Sequence, residues 1–201
     1  EAKSGYGLNF DDEIKILEAI RELNEEHPLT LVPTYLGAHA VPDEYKNNSK
    51  GYIKLMTEKV IPYVAKEKLA KFIDCFCEDG VFSVDESRTI LKKGEEYGLR
   101  AKIHADEIAP IGGAELAGEV KAISAEHLVA ASEKGMKSMK ENGVIPVLLP
   151  ATSFYLMLGK YADARKMISM GLPVALASDY NPGTCPTESL QTVMTFACFG
   201  M

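Results

Sequence analysis

A chain of 201 residues, 46% of them hydrophobic, can build one substantial core, and a second domain is not expected of it. Its formal net charge of -7, with no local Lys/Arg cluster, argues against a nucleic-acid partner. No apolar run approaches the roughly 20 residues that span a bilayer, and no charged segment with an apolar stretch behind it opens the sequence, so a cytoplasmic protein is expected.

The chain opens on Glu1 and the polar run Glu-Ala-Lys-Ser-Gly-Tyr-Gly, the start expected of a stretch cut from a longer protein. That run reads as the carboxyl end of a strand and its loop, with Tyr6 between two glycines. Asp11 to Glu26 is an amphipathic helix: Ile16, Leu17, Ile20 and Leu23 make its apolar stripe, acids crowd its first turn, and Pro28 follows its end. Leu29 to Gly37 returns as a strand with His39 just beyond it, and Pro42 to Ser49 is a polar loop. The next helix carries Ile53, Met56 and Val60 and is expected to bend or break at Pro62. Leu69 to Phe76 is a strand.

Ser83-Val84-Asp85-Glu86 has the form of a capping box, so a helix should run from there to Tyr97, with Gly98 as its left-handed terminator. Leu99 to Ile103 is a buried strand that gives way at once to His104, Asp106 and Glu107. A short helix follows Gly112-Gly113 through Val120, then a strand from Ile123 to His127. Ser132 to Asn142 is helical with Gly143 as its cap, and Val144 to Leu149 is a strand. Leu156 to Met170 contains a helix, Leu172 to Ala177 is the last strand, and Pro186 fits the first position of a final helix. The four cysteines have no zinc-ribbon spacing and are expected to be reduced.

This is strict alternation of strand and helix, with six complete strands and the tail of one before them. An open doubly wound sheet competes, but neither a G-x-G-x-x-G nor a Walker A sequence occurs. A (β/α)8 barrel typically takes about 250 residues, so a partial barrel, one incomplete domain over residues 1–201, is expected. Three of the four histidines fall at predicted strand ends, as does Asp179, whereas His27 reads as a helix-end surface residue. A lone histidine there is readily a packed or surface residue, but polar ends gathered at one face of a barrel mark its functional face.

Imidazole nitrogens and a carboxylate oxygen at converging strand ends suit a catalytic Zn²⁺ or related transition metal, with His104 and Asp179 as natural ligands. Glu107, three residues beyond His104, is placed to shuttle a proton. Asp179-Tyr-Asn-Pro-Gly-Thr184 is either a plain Asn-Pro-Gly turn or a source of amide and backbone groups for a planar polar substrate. No G-x-S-x-G elbow is present, and Cys75 and Cys77 have no local basic partner, which disfavours a nucleophilic mechanism.

Lys3-Ser-Gly-Tyr-Gly-Leu8, Tyr35-Leu-Gly-Ala-His-Ala-Val-Pro42, Lys102-Ile-His-Ala-Asp-Glu107, Gly112-Gly-Ala-Glu-Leu-Ala117, Val147-Leu-Leu-Pro150 and Ser178-Asp-Tyr-Asn-Pro-Gly183 together resemble the imidazolonepropionase family of the amidohydrolase superfamily. The resemblance runs over essentially the whole chain and implies strands 3 to 8 of the barrel with the tail of strand 2. It implies a metal-dependent ring opening of 4-imidazolone-5-propanoate to N-formimidoyl-L-glutamate, in histidine degradation, by a homodimer. It also implies one Zn or Fe ion held by His104, Asp179 and a His-x-His pair. Tyr6, His39, Glu107, Asn181, Gly183 and Thr184 would touch substrate, and His127 would lie close to the attacking water. No His-x-His occurs in this sequence, and the family's first strand, its substrate-binding arginine and its small β-rich domain are missing. Two ligands alone hold a catalytic metal poorly. The alternatives are another cyclic amidohydrolase or deaminase, or a barrel fragment that binds without turnover.

Overall fold

Apolar runs that end abruptly in polar residues become short parallel strands in the computed structural model, which describes all residues, Glu1–Met201. The chain divides into two compact units, Glu1–Ile103 and His104–Met201. No helix is long and apolar enough to cross a membrane.

The first unit orders its strands β1 (Ala2–Lys3), β2 (Pro33–Ala38), β3 (Phe72–Cys77) and β4 (Arg100–Ala101), each parallel to the next. Helix α1 (Phe10–Glu26) lays the buried Ile14, Leu17 and Ile20 beneath β2. Removing each such side chain from water stabilises the fold by about 1.5–3 kcal/mol. Asn9 caps the helix by accepting from the Asp12 N–H. Strand β2 starts four residues later than its apolar run predicts. Leu31 N–H donates to the Asn24 side chain and Leu29 N–H meets the His27 ring, so the segment before Pro33 folds back on the helix end.

Pro62 does not end its helix. The chain stays helical from α2 (Ser49–Leu55) through a π-turn (Met56–Val60) into α3 (Ile61–Lys66), with Pro62 in the first turn of α3. The wider i→i+5 turn takes up the place where the proline lacks a donor. Helix α4 (Val84–Glu96) shows the predicted capping box, with Ser83 and Glu86 bonded reciprocally. Lys102 interrupts the predicted strand 99–103, separating β4 from β5 (Ile103–Ala105), although its N–H still bonds to the Ile73 carbonyl at 2.8 Å.

The second unit continues from β5 through β6 (Ser124–His127), β7 (Ile145–Leu148) and β8 (Ala175–Leu176), neighbours in that order. Helices α5 (Gly113–Glu119) and α6 (Glu133–Asn142) pack on one another, with a left-handed Gly143 capping α6 as predicted and Ser132, expected within the helix, supplying its N-cap. Helix α7 (Pro150–Tyr155), unforeseen in the sequence, begins one residue after β7, with Pro150 in its first turn. The helix expected within Leu156–Met170 is only α8 (Ala164–Ser169). Pro186 does not open the last helix: α9 (Leu190–Gly200) starts at Ser189, whose hydroxyl accepts from the Thr192 N–H and supplies the cap. All four cysteines are free thiols.

Candidate metal centre

Strand β5 carries His104 as its middle residue, and His127 closes β6, so both imidazoles project from adjacent strands near their carboxyl ends. Asp179 lies three residues beyond β8. Within the second unit the ligand atoms of His104, His127 and Asp179 all lie within 4.8 Å of one another. The two imidazole centroids are 5.3 Å apart, and both histidines are buried. Glu107, also buried, brings Oε1 to 3.5 Å from His127 Nδ1. The donors gathered here are two imidazole nitrogens and one carboxylate oxygen, the set that Zn²⁺ and iron accept. His127 thus stands among the potential ligands, where the sequence alone offered only His104 and Asp179.

Four backbone positions turn left-handed at this place. Asp106, His127, Leu128 and Asp179 have φ of 49°, 69°, 59° and 53°. Such a conformation costs a non-glycine residue about 1–3 kcal/mol and persists only where surrounding bonds enforce it. Asp106 supplies some of those bonds: its carboxylate accepts from the N–H groups of Gly112 and Gly113 through Oδ1 and of Ala114 through Oδ2, at 2.9–3.1 Å. Burial pushes the Asp106 carboxyl above the ordinary carboxylate value, and those three donors pull it partway back. Its own carbonyl accepts from Ala130 N–H, and that of Ala105 from Leu128 N–H, which ties the Glu107 loop to the segment after His127.

Asp179 is fixed by Thr152, whose hydroxyl donates to Oδ2 at 2.6 Å. Thr152 was not among the residues singled out from sequence; the only signal for it is a hydroxyl residue just past the strand end Val147-Leu-Leu-Pro150. Asn181 closes the turn after Asp179. Its Oδ1 accepts from the Gly183 and Thr184 N–H groups, and its Nδ2 donates to the Asp179 carbonyl and to Thr184 Oγ1. The side chains of Asn181 and Thr184 therefore shape this turn.

Tyr6 and His39 belong to the first unit, at the ends of β1 and β2, where their rings meet edge to face at 5.0 Å. His39 Nδ1 lies 3.0 Å from the Gly5 carbonyl, and the Tyr6 ring is largely exposed. The loop carrying Tyr6 is gripped by Glu13 of α1, whose Oε1 accepts from the N–H groups of Gly5, Gly7 and Leu8.

No family model matches the chain. Among curated proteins it is 59% identical over 198 residues to the imidazolonepropionase of Alkaliphilus oremlandii, covering 98% of this chain and 47% of that protein. It is 58% identical over 201 residues to the imidazolonepropionase of Geobacillus thermodenitrificans, covering all of this chain and again 47% of the relative. The chain thus spans about half the length of the curated relatives it matches. Among solved structures it is similar to a guanine deaminase from C. acetobutylicum, with a TM-score of 0.71 at 18% identity, over 97% of this chain and 49% of that one. An adenine deaminase from Arthrobacter aurescens follows with a TM-score of 0.63 at 16% identity, over 92% and 56%. These likenesses and the βα alternation give the fold class as part of a (β/α)8 barrel.

Proposed function

We propose that the chain is part of an imidazolonepropionase, being 55–59% identical to such proteins over at least 98% of its own length and about half of theirs, and that the protein carrying it opens the ring of 4-imidazolone-5-propanoate with water, giving N-formimidoyl-L-glutamate in histidine degradation. The observation that supports this most is the convergence of His104, His127 and Asp179 beside Glu107. His104 and Asp179 would hold one Zn or Fe ion, with His127 either completing the set or standing beside the attacking water. Such an ion, when bound, lowers the pKa of a water to about 7 and polarises a carbonyl.

The chain's own residues then have distinct tasks. Glu107 takes the proton of the attacking water and returns it to the ring nitrogen as the bond to the carbonyl carbon breaks. His127, within reach of Glu107, orients that carboxylate. Asn181, Gly183 and Thr184 are assigned to substrate contact on family resemblance, their side-chain and N–H groups being paired within the turn that they shape. Tyr6 and His39 are assigned to substrate contact on family resemblance alone, as are the homodimer and the cytoplasmic setting.

The test is substrate choice by the full-length protein. Ring opening of imidazolonepropionate should exceed deamination of guanine and adenine by at least about 10³ in kcat/KM, a gap larger than one misfitted apolar contact produces. Preference for a purine would replace this reading with that of a deaminase on the same frame.

A further inference from the structure

Thr152 is buried at the third residue of α7, a helix joined to β7 through Leu149 alone and packed on α9 around Ala151, Cys185 and Val193. Its position is therefore fixed by packing before any ligand arrives. Its hydroxyl meets Asp179 Oδ2 at 2.6 Å. A carboxylate turns about a torsion with broad wells, so without such a bond Asp179 would sample several orientations toward the imidazoles. The bond removes that freedom and leaves Oδ1 with its lone pairs available.

We propose that Thr152 is a positioning residue for the metal centre: its hydroxyl holds Oδ2 so that Asp179 presents Oδ1 to the ion beside His104 and His127. This rests on the reading of Asp179 and His104 as metal ligands. Carboxylates that ligate metals are themselves commonly hydrogen-bonded, and loss of such a partner typically weakens metal affinity or activity by about 10–100-fold. A purely structural link between α7 and the segment after β8 would instead lower the stability of the metal-free protein and leave its affinity unchanged.

The experiment compares Zn²⁺ affinity, by chelator competition without substrate, in the metal-free full-length protein and its Thr152 variants. Thr152→Val, which keeps the shape and removes the hydroxyl, should weaken Zn²⁺ binding by about 10–100-fold, and Thr152→Ser should stay within about threefold. If valine is not tolerated in the buried first turn of α7, Thr152→Ala, the better helix former, reads the same loss against Thr152→Ser. Equal affinity in wild type and the hydroxyl-free variant, or a serine variant as weak as that one, overturns the role of Thr152. Wild-type protein that takes up neither Zn²⁺ nor Fe²⁺ overturns the metal centre itself, and a wrong substrate assignment leaves the titration intact.

Discussion

Asp106 and Glu13 solve the same local problem, one in each unit. A chain leaving a strand and turning left-handed exposes several N–H groups at once, and a single buried carboxylate collects three of them. Asp106→Ala in the full-length protein should therefore cost about 2–4 kcal/mol in urea unfolding, more than the 0.5–2 of an ordinary helix cap, because buried donors are left unmet. Asp106→Asn should fall between, since its amide oxygen can replace Oδ1 while its NH2 faces the Ala114 donor. A loss below about 0.5 kcal/mol for the alanine variant would mean that solvent meets those groups equally well. From the sequence, Asp106 is merely the third residue of His-Ala-Asp-Glu; its partners lie six to eight residues on, a distance no local pattern covers. His104 and Asp179 were legible because each follows an apolar run. Thr152 was not, because a threonine among Ala, Ser and Phe carries no polar contrast.

At the scale of elements, the signals that succeeded are those confined to one turn: the capping box at Ser83 and the left-handed terminator at Gly143. Those that failed depend on what lies across the space. Pro62 reads as a breaker until the π-turn before it is seen, and the helix α7 that opens at Pro150 directly after the predicted strand was not foreseen. Pro186 reads as a helix start although Ser189 supplies the cap. The packing of α5 on α6 is a further case, because only the structure shows why Gly118 is glycine. A Cβ there would come within 2.7 Å of the Ser138 backbone, which no side-chain rotation can relieve. Gly118→Ala gains about 1 kcal/mol of helix propensity against about 1–3 kcal/mol of overpacking. The denaturation midpoint of this variant should fall, by the equivalent of up to about 2 kcal/mol. A rise would show that the two helices can separate without penalty.

For the whole molecule, alternation of strand and helix was readable from end to end, since each βα unit repeats the same change from apolar run to polar end. What could not be read was which strand ends converge. His127 came from a four-residue strand with a buried glutamate in it, yet it lies within ligand distance of His104 and Asp179. On the proposed reading His104 and Asp179 hold a metal while Glu107 moves protons without holding it. Metal content and turnover of imidazolonepropionate, measured together on full-length His104→Ala and Glu107→Gln, test it most directly. His104→Ala should lose metal and activity together, since it removes one of few ligands. Glu107→Gln should keep its metal and lose about 10²–10⁴ in kcat. A Glu107→Gln protein as metal-depleted as His104→Ala, or a His104→Ala protein that keeps a full equivalent of metal, would contradict it.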